Sequence, residues 1–144
     1  MHKLLYLFLG MFSLQACKSP VAKEQDTQTL LKGEWKVTDF RNQYYGNISE
    51  KTRNELEKAV QLQRRRLQEF ASFSYYPDSS YHLVFSSHDF DKGTWQIIRD
   101  TILIYQSQLH NVTDTSVIHF SGPDEAVISM SDDQQSAQLT IQRK

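Results

Sequence analysis

Thr94-Trp95-Gln96-Ile97-Ile98-Arg99-Asp100-Thr101-Ile102-Leu103-Ile104-Tyr105-Gln106 reads as two short strands, rich in β-branched and aromatic residues, folded about an Arg99-Asp100 turn. The same pattern continues in both directions. Upstream, Ala71 to Tyr76 and Tyr81 to Ser86 flank the turn Pro77-Asp78-Ser79-Ser80, and Asp91-Lys92-Gly93 leads into Thr94. Downstream, after a longer loop, come Ser116 to Phe120, a turn at Ser121-Gly122-Pro123-Asp124, Ala126 to Ser131, a turn at Asp132-Asp133-Gln134-Gln135, and Ala137 to Gln142. One more strand stands at the front, where Leu31-Lys32-Gly33-Glu34-Trp35-Lys36-Val37 puts Trp35 and Val37 on one side. Phe40 falls out of that alternation, which a bulge near Asp39 reconciles. Eight strands joined mostly by tight turns, with no helix between the later seven, predict a mainly β fold. Its form is an eight-stranded antiparallel up-and-down barrel, whose closure removes both edges.

The segment between the first two strands differs in kind. Leu56, Ala59, Val60, Gln63, Leu67 and Phe70 recur at helical spacing, while Glu50, Arg53, Lys58, Arg65 and Glu69 lie mostly elsewhere. This predicts an amphipathic helix over residues 49–71, capping one mouth of the barrel. Ser49 or Thr52 serves as N-cap, Thr52 with Glu55 in a capping-box arrangement, and Ile48 supplies a staple. Arg64-Arg65-Arg66 reads as a solvated face of that helix.

Composition narrows the function. The 144 residues are 39% hydrophobic, enough for a packed interior without disulfides, and the single cysteine, Cys17, permits none within the chain. Sixteen basic residues against seventeen acidic ones leave no basic excess of the kind a nucleic-acid binder carries. No G-x-S-x-G, H-E-x-x-H, phosphate loop or G-x-G-x-x-G occurs, so the reading is a non-enzyme without a cofactor. His88-Asp89-Phe90-Asp91 has no second histidine close by and reads as a polar loop rather than a metal site. His119 alternates with Val117 and is expected to face inward as a hydrogen-bonded core histidine.

At the N-terminus, Lys3 supplies a charged start and Leu4 to Leu14 an apolar run too short to span a bilayer well. Leu14-Gln15-Ala16-Cys17 resembles the lipobox of bacterial lipoproteins. The resemblance implies a signal peptide over 1–16 and palmitate-type acyl chains on Cys17, which together hold a soluble domain on a membrane. Polar residues to Gln28 read as a flexible tether over 17–28, leaving the barrel domain at 29–144. Lys18, where an aspartate would retain some lipoproteins at the inner membrane, implies the outer membrane. With no acidic cluster after Cys17, the periplasmic face is favoured over the cell surface.

Gly33-Glu34-Trp35 resembles the G-x-W signature of lipocalin-like barrels, and Gly93-Thr94-Trp95 resembles the central G-T-W of small lipocalin-like domains in Bacteroidetes lipoproteins. At Asp78-Ser79-Ser80-Tyr81 the family's Gly-Thr is replaced by Ser-Ser. The resemblance implies that Trp35 sits at a closed end of the barrel beneath a basic residue of the last strand, here Arg143. It also implies a small, apolar ligand in or at the barrel. Trp35, Phe73, Tyr75, Tyr81, Phe85, Trp95, Ile97, Leu139 and Ile141, with His119, are the expected lining. Yet eight strands enclose a space just wide enough for side chains or for one small ligand. The alternative is therefore a filled barrel, acting as a structural or adaptor lipoprotein through protein contacts.

Overall fold

The meander closes on itself. The structure, a computed structural model, describes residues 26–144; residues 1–16, Cys17 and most of the expected tether lie outside the described residues. In chain order it contains α1 (Thr27–Leu31), β1 (Gly33–Tyr44), α2 (Glu50–Phe70), β2 (Ser72–Tyr75), β3 (Ser80–Val84), β4 (Phe90–Ile98), β5 (Ile102–Ser107), β6 (Thr113–Gly122), β7 (Glu125–Ser131) and β8 (Gln135–Arg143). Each strand pairs with its chain neighbour, and β8 returns antiparallel to β1, giving a closed eight-stranded barrel with α2 between the first two strands.

The bulge near Asp39 is real. The β1–β8 register shifts between Val37 and Asp39, which turns Phe40 inward to 5% exposure after Trp35 and Val37. The Arg99-Asp100 turn holds both residues at positive φ, 51° and 60°, within the three-residue connection between the paired Ile98 and Ile102. β4 starts at Phe90, earlier than expected, because inward alternation runs back from Trp95 through Gly93 to Asp91. Gly93 must be glycine. A Cβ there would lie 1.9 Å from the Gln106 carbonyl oxygen and 3.1 Å from the Tyr81 ring.

Thr27 and Gln28, expected in the tether, are helical instead, since α1 begins at Thr27 with Asp26 as its N-cap. Its residues belong to the domain. The Gln28 side-chain oxygen accepts from the Ile97 backbone N–H at 2.9 Å, and Leu31 is completely buried. This short helix closes the end of the barrel where β1 begins and β8 finishes. There the Trp35 indole N–H donates to the Leu31 carbonyl at 2.8 Å. The Arg143 guanidinium lies 4.4 Å from the Trp35 ring centre and donates to the carbonyls of Leu30 and Lys32 at 2.7 and 2.8 Å. Gly33, at φ 126°, lets the chain pass beneath it: a Cβ would meet Arg143 Nη1 at 2.6 Å.

α2 departs from its expected place. It packs chiefly against β1, so it flanks the opposite mouth rather than lying across it. Ser49 is the N-cap, its hydroxyl accepting from the Thr52 N–H at 3.2 Å. Only Leu67 is buried; Leu56, Val60 and Arg64 are half-buried, while Ala59, Gln63 and Phe70 face solvent. The buried stripe is narrower because the helix covers one strand instead of a whole core. β2 pairs β1 only over Gly33 to Lys36, and beyond that point the helix supplies donors in its place. Gln68 donates to the Thr38 carbonyl at 2.6 Å and Arg64 to the Phe40 carbonyl at 2.8 Å, so this stretch of edge is not left bare.

Removing the indole at the closed end empties a fully buried site in the core. Trp35→Ala is expected to cost about 3–5 kcal/mol in chemical denaturation, and Arg143→Ala less, with the cation–π part about 0.5–2 kcal/mol. An unchanged denaturation midpoint for Trp35→Ala contradicts this packing.

Candidate functional site

The residues expected to line the barrel pack together in its buried core. Trp35, Phe73, Tyr75, Tyr81, Trp95, Leu139 and Ile141 are all buried, and Phe85 and Ile97 pack half-buried against them. Their rings meet edge to face: Phe73 on Phe85 and Tyr75 on Trp95, both at 5.5 Å, and Trp35 on Phe120 at 6.3 Å. His119 is the exception. It is exposed, with Val117 beside it at 54% exposure, because β6 turns Ser116, Ile118 and Phe120 inward. The alternative parity would have left Ile118 and Phe120 in solvent, and a one-residue slip reverses a whole strand.

Polar groups inside this core satisfy one another. The Tyr81 hydroxyl donates to Asp91 at 2.7 Å and the Ser107 hydroxyl to the same carboxylate at 2.6 Å, while the Lys92 N–H adds a third bond at 2.8 Å. The His110 N–H then donates to Ser107 at 3.1 Å, tying the β5–β6 loop to the network. The Tyr75 and Tyr105 hydroxyls are hydrogen-bonded to each other. Burial pushes the phenols of Tyr75, Tyr81 and Tyr105 upward, and the neighbouring Asp91 adds to the effect at Tyr81. For Asp91, burial acts upward, but the hydrogen bonds from Ser107, Tyr81 and Lys92 outweigh it and hold the carboxyl below its usual range. The network joins three strands and leaves its groups committed to each other.

An open site lies outside the barrel, between α2 and the last residues of β1. It is a groove of about 390 Å³ in which Ile48, Leu56 and Val60 present apolar surface and Arg41, Arg53 and Arg64 present charge. That volume falls in the usual range for small-ligand sites. Asp39 sits beside the groove and binds both Arg41 and Arg64, at 2.9 and 3.1 Å. The Arg41 hydrogen bond is the main reason its carboxyl stays below the ordinary range against the upward effect of burial, helped by the Phe40 N–H and the Arg64 charge. Asn42, also on the groove, donates to the Tyr44 hydroxyl and to Gln135, yet its carbonyl Oδ1 is buried with no partner among the described residues. Such an atom costs roughly 1–3 kcal/mol when left unsatisfied.

Sequence reading missed both features. Counting inward positions back from Trp95 by twos reaches Asp91, which would have found the network. The groove has no comparable signal, since it depends on where β2 stops pairing with β1. The sequence matches no protein-family model and no curated protein.

The depressed Asp91 carboxyl makes a pH prediction. Its stabilising contribution is complete above the unfolded value of about 3.9 and is lost as the pH falls through the lower folded value. The stability gap between wild type and Asp91→Asn is therefore expected to be constant above about pH 5 and to narrow below about pH 4, read from urea denaturation at each pH. A gap that persists undiminished to about pH 2 contradicts the network's charge state.

Proposed function

We propose that this protein is a lipid-anchored, lipocalin-like binding module that performs no chemistry and holds a small ligand at the barrel rim, in the groove between α2 and β1. One observation carries this reading. The interior is occupied by its own aromatic side chains, whereas the groove is open, partly apolar and lined by charged side chains. On this reading the ligand expected in or at the barrel lies at the rim. The anchor is lipid on Cys17, and the site of action is the periplasmic face of the outer membrane.

The filled interior also supports the adaptor reading, in which the protein works through protein contacts. The same mouth carries exposed large apolar residues, among them Tyr45, Phe90, Leu109 and Val112, of the kind such contacts use. Native mass spectrometry separates the two. Protein purified from its own host is expected to retain a small molecule that Val60→Trp, which fills the groove, expels without loss of fold. A molecule held equally by the variant contradicts the groove, and wild-type protein that carries none favours the adaptor.

Cys17→Ser is expected to move the protein from the membrane to the soluble periplasmic fraction on cell fractionation. A variant that stays membrane-bound overturns the lipid anchor.

A further inference from the structure

The outer wall of the barrel changes character from one side to the other. On β1, β2 and β8 the outward positions include Glu34, Lys36, Ser72, Ser74, Gln138 and Gln142. On β4 to β7 the same alternation turns Ile98, Ile102, Ile104, Val117 and Val127 outward, because Leu103, Ile118, Ala126 and Ile128 face the core. Register gathers them. Ile98 stands opposite Ile102 and Ile102 opposite Val117, with Ile104 next on the same face of β5 and Val127 diagonal to Val117. Ile98 is 40% and Val117 54% exposed, so a contiguous apolar face meets solvent, of the kind that marks an interaction surface.

The chain enters the domain beside this face. Thr27, the first residue of α1, donates from its hydroxyl to Asp100 in the β4–β5 turn at 3.2 Å, and Gln28 accepts from the Ile97 N–H. Cys17 precedes Asp26 by nine positions, which reach at most roughly 30 Å. Resting on the lipid-anchor reading above, we infer that the Ile98–Ile102–Val117 face seats on the surface of the same bilayer that holds Cys17. The anchor makes this contact effectively intramolecular, so even a weak affinity of the face for lipid is enough to orient a domain already held there. β1 lies four strands from β5 in the closed order. The seating therefore turns the α2–β1 groove away from the lipid and toward the aqueous side.

The test uses spin-labelled protein purified from its own host with the acyl chains it carries, reconstituted into phosphatidylethanolamine–phosphatidylglycerol vesicles. Cys17 is the one cysteine, so once it is acylated an introduced cysteine is the single free thiol. Thr115→Cys places the label outward on β6, opposite Ile104, with all five apolar residues intact, and Lys36→Cys places it on the opposite wall. The Thr115 label is expected to collide more with oxygen, which concentrates in lipid, than with a water-soluble nickel chelate, and the Lys36 label is expected to show the reverse. Adding Ile98→Ser and Val117→Ser should return the Thr115 label to water while the protein stays on the vesicles. A Thr115 label that favours the nickel chelate in vesicle-bound protein overturns the seating and leaves the anchor standing. So does a label shielded from both reagents, which places a second copy or another protein on this face. An intact mass without acyl chains on Cys17 defeats the anchor reading itself, and the seating with it.

Discussion

The guanidinium of Arg143 over the Trp35 indole is the contact on which the rest of the structure depends. β1 and β8 stand at opposite ends of the domain's sequence, and their pairing converts a meander with two open edges into a barrel with none. Arg143 fastens that seam from three directions. It stacks on Trp35, donates to the carbonyls of Leu30 and Lys32, and reaches Pro123 and Asp124 in the β6–β7 turn. The single side chain therefore holds the closing helix, the first strand and a distant hairpin together. An exposed ion pair alone is worth little; here the gain comes from satisfying helix-end carbonyls beside a fully buried indole.

Closure at one end and dense packing in the middle are what favour the rim as the proposed site. Tyr75, Tyr81 and Tyr105 fill the interior with hydroxyls that already have partners, and Asp91 is bound three times over. To admit a ligand the barrel would have to break these bonds and open aromatic contacts, each unfavourable in a low-dielectric interior. The α2–β1 groove needs no such rearrangement. It exists because β2 is short: β1 runs on past its partner, and the helix that crosses the gap leaves space between Val60 and the strand's last residues.

Much of the fold was legible because strand alternation and turn chemistry are local. Trp35 and Val37, the bulge that recovers Phe40, and the Arg99-Asp100 turn could be read directly, and the G-x-W resemblance placed Arg143 on Trp35 correctly. His119 was misread because it was paired with Val117 alone, whereas the opposite face of β6 carries two large apolar residues, Ile118 and Phe120. α1 was hidden for a different reason. Asp26-Thr27-Gln28-Thr29-Leu30-Leu31 is too short and polar to show a helical period, and it is held by Gln28 and Leu31 docking onto the barrel end. The groove was illegible for the same kind of cause, since Asn42 and Arg53 come to line one groove only by the tertiary placement of α2.

The central claim is that this barrel binds at its rim and not in its interior. Intermolecular NOEs between a bound small molecule and the protein's assigned methyl groups test it most directly. The account predicts contacts from the ligand to the methyls of Ile48, Leu56 and Val60. Contacts to Leu103, Ile118 or Ile141 in the barrel core would contradict it.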